Sequence, residues 1–148
     1  MSRAKRLPVI AIDYGKARVG VAVSDELGAL AHPRPALDGA NRKALLAAIR
    51  DLAVEERADR VLCGLPLDMS GAMGPAAARV MRFAQALADA TGLEVELVDE
   101  RLTTVEATRR LAEADGDEGP GGTAKKRPRV DSASATVLLQ AWLDARSR

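Results

Sequence analysis

Asp13 stands at the end of an apolar run and just before a glycine, in Val9-Ile10-Ala11-Ile12-Asp13-Tyr14-Gly15. A Val/Ile/Ala run of this kind reads as a strand buried on both faces. An ionised carboxylate held against such a strand is costly unless something pairs with it. No Lys or Arg precedes Asp13 within the strand, and Lys16 and Arg18 lie beyond the turn. A metal ion or a phosphate-bearing ligand is then its natural partner. Gly15 lets the backbone turn tightly and a ligand come close. The run Val19-Gly20-Val21-Ala22-Val23-Ser24 returns as a second strand, so Asp13 heads a hairpin. The structural alternative is that Asp13 only forms the turn.

Two more acids fall where they could join it. Glu100 follows an apolar strand in Asp99-Glu100-Arg101, and Asp131 opens the last helix. Hydrolysing a phosphodiester requires activated water and neutralised charge on the phosphoryl oxygens. Two Mg²⁺ or Mn²⁺ ions roughly 3.5–4 Å apart do both, and hard oxygen ligands hold them. Carboxylates from separate elements, without His or Cys, are the kit this requires, and Asp13, Glu100 and Asp131 offer it as candidate metal ligands. Structural alternatives stand beside these roles. Glu100 could pair with Arg101 or Arg109, and Asp131 is a preferred type of helix N-cap. Asp25 and Asp99 adjoin the expected site and are held in reserve. Lys125, Lys126, Arg127 and Arg129 lie just before Asp131 and, with Arg18, offer cations for substrate phosphates. A solvated charged loop is the alternative for that run.

These residues need a frame. A third strand is expected around Ala29 to Leu37, where Pro33 and Pro35 confine it to an edge or to its ends. His32 between the prolines reads as a surface residue. Asn41 can cap a helix running to about Arg57, with Leu45, Ile49 and Leu52 on one face. Arg60 to Leu65 is a buried strand, and Gly64-Leu65-Pro66-Leu67-Asp68-Met69-Ser70-Gly71 enters a loop. Pro75 suits the first turn of a helix that buries Val80, Phe83, Ala84 and Leu87 and ends at Gly92. Leu93 to Val98 is a strand. Thr103-Thr104-Val105-Glu106 is a capping box opening a short helix to about Ala112. Asp115 to Arg129 is a Gly-rich loop, and a last helix runs from Asp131 or Ser132 to Ala145, with Ala135, Leu138, Leu139, Trp142 and Leu143 apolar. The order βββαβαβαα predicts an α/β fold with a central mixed five-stranded sheet and helices on both faces. In such sheets ligands collect at the carboxyl ends of the parallel strands. One domain is expected over residues 1–148, with a flexible loop at about 114–129.

Composition narrows the function classes. The formal net charge of +1 does not advertise nucleic-acid binding, so any basic footprint is local. Tyr14, Phe83 and Trp142 are the only aromatics. They cannot build the stacking platform of a single-strand-binding module. Cys63, the single cysteine, cannot form an internal disulfide and lies in an apolar strand, where it reads as a small buried hydrophobe. No apolar run is long enough for a membrane span and no signal-peptide pattern is present, so a cytoplasmic location is expected.

The ordered motifs Asp13-Tyr14-Gly15-x-x-Arg18-x-Gly20-Val21-Ala22-Val23-Ser24-Asp25, Gly64-Leu65-Pro66-Leu67, Asp99-Glu100-Arg101-Leu102-Thr103-Thr104-x-Glu106-Ala107 and Val130-Asp131-Ser132-Ala133-Ser134-Ala135 span nearly the whole chain. In this they resemble the YqgF family of bacterial Holliday-junction-resolvase-like proteins, described as pre-16S rRNA nucleases. The resemblance implies a ribonuclease H-like fold. It carries catalytic roles onto Asp13, Glu100 and Asp131, and implies processing of the 5′ end of pre-16S rRNA on a ribosome precursor. One departure stands in Asp68-Met69-Ser70-Gly71, where the family pattern leads one to expect Asn-Met-Asp-Gly. Three rival readings remain. A resolvase cutting four-way DNA junctions needs two cuts and hence a homodimer rather than a monomer. An actin-like nucleotide-binding domain also begins with Asp-x-Gly on a hairpin, but normally needs two such domains. A non-catalytic ribosome-assembly factor would keep the acids as caps.

Overall fold

The computed structural model describes residues 8–15, 17–102 and 132–146. Five strands, β1 (Val9–Tyr14), β2 (Arg18–Ser24), β3 (Ala31–Asp38), β4 (Arg60–Leu65) and β5 (Glu94–Asp99), form one sheet in the order β3-β2-β1-β4-β5. β1–β2 and β2–β3 are antiparallel, while β1–β4 and β4–β5 are parallel. This is the mixed sheet of a ribonuclease H-like α/β fold. The proline-bearing β3 lies at an edge, where missing N–H donors leave no central ladder broken.

Helices α1 (Arg42–Glu56) and α2 (Pro75–Thr91) cover one face, and α3 (Ala133–Arg146) covers the other. Asn41 caps α1 by accepting from the Ala44 amide at 3.0 Å. Pro75 occupies the first turn of α2, and Gly92, at φ 73°, ends it. The helix expected from Thr103 and the Gly-rich loop to Arg129 lie outside the described residues. Among the described residues no helix is long and apolar enough to cross a membrane.

The two faces of the sheet differ in bulk, and this positions the site. Under α1 and α2 lie Ile10, Ile12, Val19, Val21, Val23, Val61 and Cys63, packed on Phe83, Leu87, Leu45 and Ile49. Tyr14 stacks on Phe83 here, with ring centroids 4.2 Å apart. Burial pushes the Cys63 thiol up to about 12, which leaves it an inert core group. Under α3 the central strands offer Ala11 and Ala22 beside Val9 and Leu62, packed against Ala135, Leu138 and Leu139. Small residues let a helix lie close to the strands.

That closeness shows at the start of α3. Ser132 is wholly buried, and its carbonyl accepts the Thr136 amide at 2.9 Å. Its hydroxyl donates to the Arg34 carbonyl of β3 at 2.7 Å and accepts from the Val21 amide of β2 at 3.1 Å. Val21 and Arg34 are paired residues beside a register irregularity between Val19 and Val21. A serine hydroxyl thus bridges a donor and an acceptor of neighbouring strands, and satisfies both away from water. Midway along the helix, Gln140 accepts from the Ala31 amide and donates to the Ala29 carbonyl, each at 2.9 Å.

Candidate active site

Because β1, β4 and β5 are parallel, their carboxyl ends meet at one end of the sheet. Asp13 lies at the end of β1 and Glu100 directly follows β5, in a 3₁₀ turn over Glu100–Leu102. Strand alternation puts Asp13 on the face shared with Ala11, beneath α3. Between the two acids runs β4, and the residue there is Gly64. A Cβ on Gly64 would sit 2.5 Å from Glu100 Oε2 and 3.0 Å from its Cγ. The missing side chain is therefore the space in which Glu100 crosses β4 toward Asp13.

The Asp13 and Glu100 carboxyl groups act on one another, and the Ser134 hydroxyl in the first turn of α3 favours the Asp13 carboxylate. Burial raises the Asp13 carboxyl above its ordinary value, against the lowering effect of these two groups. Glu100 is pushed up to about 7, first by burial, then by the negative charges of Asp13 and Asp99. Two acids forced together titrate as a coupled pair, which binds a proton more tightly than either carboxyl would alone. A cation can take the place of that proton.

A pH effect on stability follows. A folded-state carboxyl raised above its unfolded value binds its proton more tightly in the native protein. Its stabilising effect is complete below the unfolded pKa and is lost as pH rises through the folded one. Metal-free protein should therefore lose thermal stability between about pH 4.5 and about pH 7, the ordinary and raised values of Glu100. Glu100→Gln should flatten that descent in melts recorded in chelator across this range. An equally steep descent in the variant would show that Glu100 does not carry it.

The other residues singled out from sequence divide clearly. Arg18 opens β2 and is exposed, and alternation from Gly20, the partner of Asp13, puts it on the same face at the hairpin head. Gly15 makes that head possible, since a Cβ there would stand 2.5 Å from the Arg18 carbonyl oxygen. Asp99 accepts from the Arg101 guanidinium at 2.8 Å, which keeps its carboxyl below the ordinary range. Arg101, offered above as a partner for Glu100, is thus held by Asp99. Asp25 does not adjoin the site. β2 runs antiparallel to β1, so it finishes at the opposite end of the sheet, where Asp25 accepts from the Ala29 amide at 2.8 Å and shapes a turn. Asp131, Lys125, Lys126, Arg127 and Arg129 lie outside the described residues, as do Lys16, Glu106 and Arg109. Among the described residues no group of three or more His, Cys, Asp or Glu side chains gathers for a metal.

Helix α3 begins at Ala133, so its cap position falls on Ser132 and Asp131 is one residue ahead of it. The unusual Asp68-Met69-Ser70-Gly71 loop also has a structural account. Asp68 accepts from the Ser70 amide at 2.9 Å, the Ser70 hydroxyl at 2.6 Å and the Ala72 amide at 2.9 Å. Its carboxylate builds the loop, and Gly71 at φ 87° closes it.

Sequence reasoning did not single out Gly64, Ser132 or Ser134 as parts of the site. All three stand inside motifs noted above. The one available signal is a second serine two residues after Ser132, and nothing local says which strand it would meet.

A family model described as "RuvX: Holliday junction resolvase" matches residues 7–145. A protein of Myxococcus xanthus (strain DK1622), named "Putative pre-16S rRNA nuclease", is 44% identical over 134 residues, covering 90% of this chain and 85% of the relative. A relative of the same name from Anaeromyxobacter sp. (strain Fw109-5) is 41% identical over 138 residues, covering 93% and 96%. Among solved structures, Thermus thermophilus RuvC in complex with a Holliday junction substrate superposes with TM-score 0.63 at 13% identity, covering 96% of each chain. The fowlpox virus Holliday junction resolvase gives 0.55 at 15% identity, covering 94% of this chain and 99% of that one. At such identities these two likenesses are likenesses of fold. The family match and the identity to the curated relatives go further, since both run through the hairpin, the β4 and β5 ends and the start of α3: the chain belongs to the RuvX (YqgF) family, and it is a nuclease.

Proposed function

We propose that this nuclease is a divalent-metal-dependent endonuclease that processes the 5′ end of pre-16S rRNA, with Asp13, Glu100 and Asp131 holding Mg²⁺ or Mn²⁺. The observation that carries the metal reading is the Asp13–Glu100 carboxyl pair, brought together across Gly64. Two oxygen donors of like charge, brought together from separate elements, fit a hard divalent ion. Cations bound there would supply charge neutralisation on the scissile phosphate and a more acidic water. The chain's own residues do the rest. Asp13 and Glu100 set the donor positions from the ends of β1 and β5. Arg18 stands at the hairpin head on the same face, where it can meet a phosphate next to the one being cut.

RNA is favoured as substrate by the names of the curated relatives. The family description favours a four-way DNA junction as the second reading. Labelled pre-16S rRNA precursor and a synthetic junction, each incubated with Mn²⁺ or Mg²⁺, separate the two. Cleavage of the precursor alone, dependent on metal, is the expected result. Junction cleavage by a dimer with the RNA untouched would replace this reading with the second, and no cleavage of either would overturn both.

The basic run offers an independent check on substrate binding. Replacing Lys125, Lys126, Arg127 and Arg129 by Ala should weaken RNA affinity and flatten its salt dependence. Each cation withdrawn from a phosphate should reduce the log–log slope by roughly 0.7 on a single strand. Binding titrations at several salt concentrations read this directly. An unchanged slope returns the run to a solvated charged loop.

A further inference from the structure

We propose that Asp99 and Arg101 are positioning residues, closing a clasp over the turn that carries Glu100 into the metal site. The inference rests on the metal reading of Asp13 and Glu100 given above. Glu100 stands where the chain leaves the sheet. Asp99 is still paired with Leu65 of β4, and Glu100–Leu102 form a single 3₁₀ turn. Hydrogen bonds within such a turn are poorly aligned, so the turn alone holds Glu100 weakly. The residues on either side of it supply the rest. Asp99 Oδ1 accepts from the Arg101 backbone amide at 2.9 Å and from Arg101 Nε at 3.2 Å. Asp99 Oδ2 accepts from Nε at 3.1 Å and from Nη2 at 2.8 Å. One carboxylate, carried on the last residue of β5, thus grips both the backbone and the side chain of the residue after Glu100. A planar guanidinium suits this grip, because its fork meets both carboxylate oxygens at once. The loop between β4 and α2 closes the outer side. A Cβ on Gly71 would stand 3.4 Å from Nη1 and 3.5 Å from Nη2 of Arg101, so the guanidinium lies against a residue without a side chain. With its neighbours tied to each other, the Glu100 backbone is fixed, and its side chain is sent over Gly64.

Charge and position pull in opposite directions at Arg101, which makes the clasp testable. Arg101→Gln removes a positive charge from beside a cation site, so by charge alone Mn²⁺ would bind more tightly. Loss of the clasp predicts weaker binding. Supports around metal ligands typically affect affinity or activity by roughly 10–100-fold when removed, and one that acts through the backbone should fall near the lower end. Arg101→Gln should therefore weaken Mn²⁺ binding by roughly 10-fold, read without substrate from the paramagnetic resonance of free Mn²⁺. Asp99→Asn should weaken it too. The double variant should bind no more weakly than Asp99→Asn alone, because one clasp is lost only once. Charge alone would instead return the double variant to near the wild type. The pair stands largely open to solvent, where an ion pair adds little stability, so melts in chelator should stay close to the wild type. A large fall in melting temperature would make the pair a prop of the fold and overturn the positioning role. Wild-type or tighter Mn²⁺ affinity in Arg101→Gln overturns this inference while leaving the metal reading intact. A wild-type protein that binds no Mn²⁺ overturns the metal reading, and this inference with it.

Discussion

Asp13→Asn should yield a folded protein that no longer cuts. Asn is nearly isosteric with Asp and keeps its accepting oxygen, so the hairpin is kept. What it lacks is the charge. Removing one electrostatic group from a reaction centre commonly costs about 10²–10³ in rate. Losing a carboxylate shared with a metal site should cost at least that much, measured on any substrate the wild type cleaves. Stability should move the other way. Asp13 is raised by burial and is itself a leading cause of the elevation of Glu100. With the charge gone, Glu100 can ionise at lower pH without facing a second buried anion. In chelator near pH 8 the variant should therefore melt at or above the wild-type temperature, a condition set by the raised range of Glu100 rather than its ordinary one. Adding Mn²⁺ should raise the wild-type melting temperature and leave the variant's where it was. Cleavage at the wild-type rate would remove Asp13 from the site. A lower melting temperature in chelator would show that the carboxylate stabilises the fold, as a turn former does.

How much of this is legible without the structure depends on whether the determinant is local. The hairpin, the capped α1, the span of β4 and the buried face of α2 at Val80, Phe83, Ala84 and Leu87 all follow from local pattern, and the structure has them. Their signals are periodicity, a cap and a terminating glycine, which act within a few residues. Asp25 is misplaced by sequence reasoning because the sequence shows the length of β2 but not the end of the sheet at which it finishes. An antiparallel return carries the end of the strand away from Asp13, and Asp25 serves a turn there.

The support around the acids is hidden for a different reason. Ala11, Ala22, Gly20 and Gly64 look like ordinary small residues scattered through apolar strands. Only the sheet order shows that Ala11 and Ala22 underlie α3, and that Gly64 sits between the strands carrying Asp13 and Glu100. Small residues at these positions leave room for α3, whose start brings Ser132 into the sheet. The long-range determinants are in the sequence, but as absences of bulk, which local pattern does not register.

Gly64→Ala turns that absence into a measurement. Gly64 has no left-handed backbone angle, unlike Gly28, Gly71 and Gly92, so alanine can adopt its conformation. In a strand interior Ala costs less conformational entropy than Gly, and compatible Gly-to-Ala changes stabilise by about 0.4–1 kcal/mol. The new methyl would meet Glu100 at 2.5 Å from Oε2, 3.0 Å from Cγ and 3.2 Å from Cδ. All three atoms belong to one flexible side chain, so the strand need not move and Glu100 must. The expected variant is folded, melts at or slightly above the wild type, and cuts far more slowly. A misplacement of about 1 Å can cost roughly 10²-fold in rate. With Glu100 displaced from Asp13, the loss of stability with rising pH should also shrink, as it does in Glu100→Gln. Circular dichroism melts in chelator and cleavage rates with Mn²⁺ on the same preparation give both readings. If folded Gly64→Ala protein cuts at the wild-type rate, then the position of Glu100 over β4 has no part in the chemistry, and the carboxyl pair loses its claim to be the metal site.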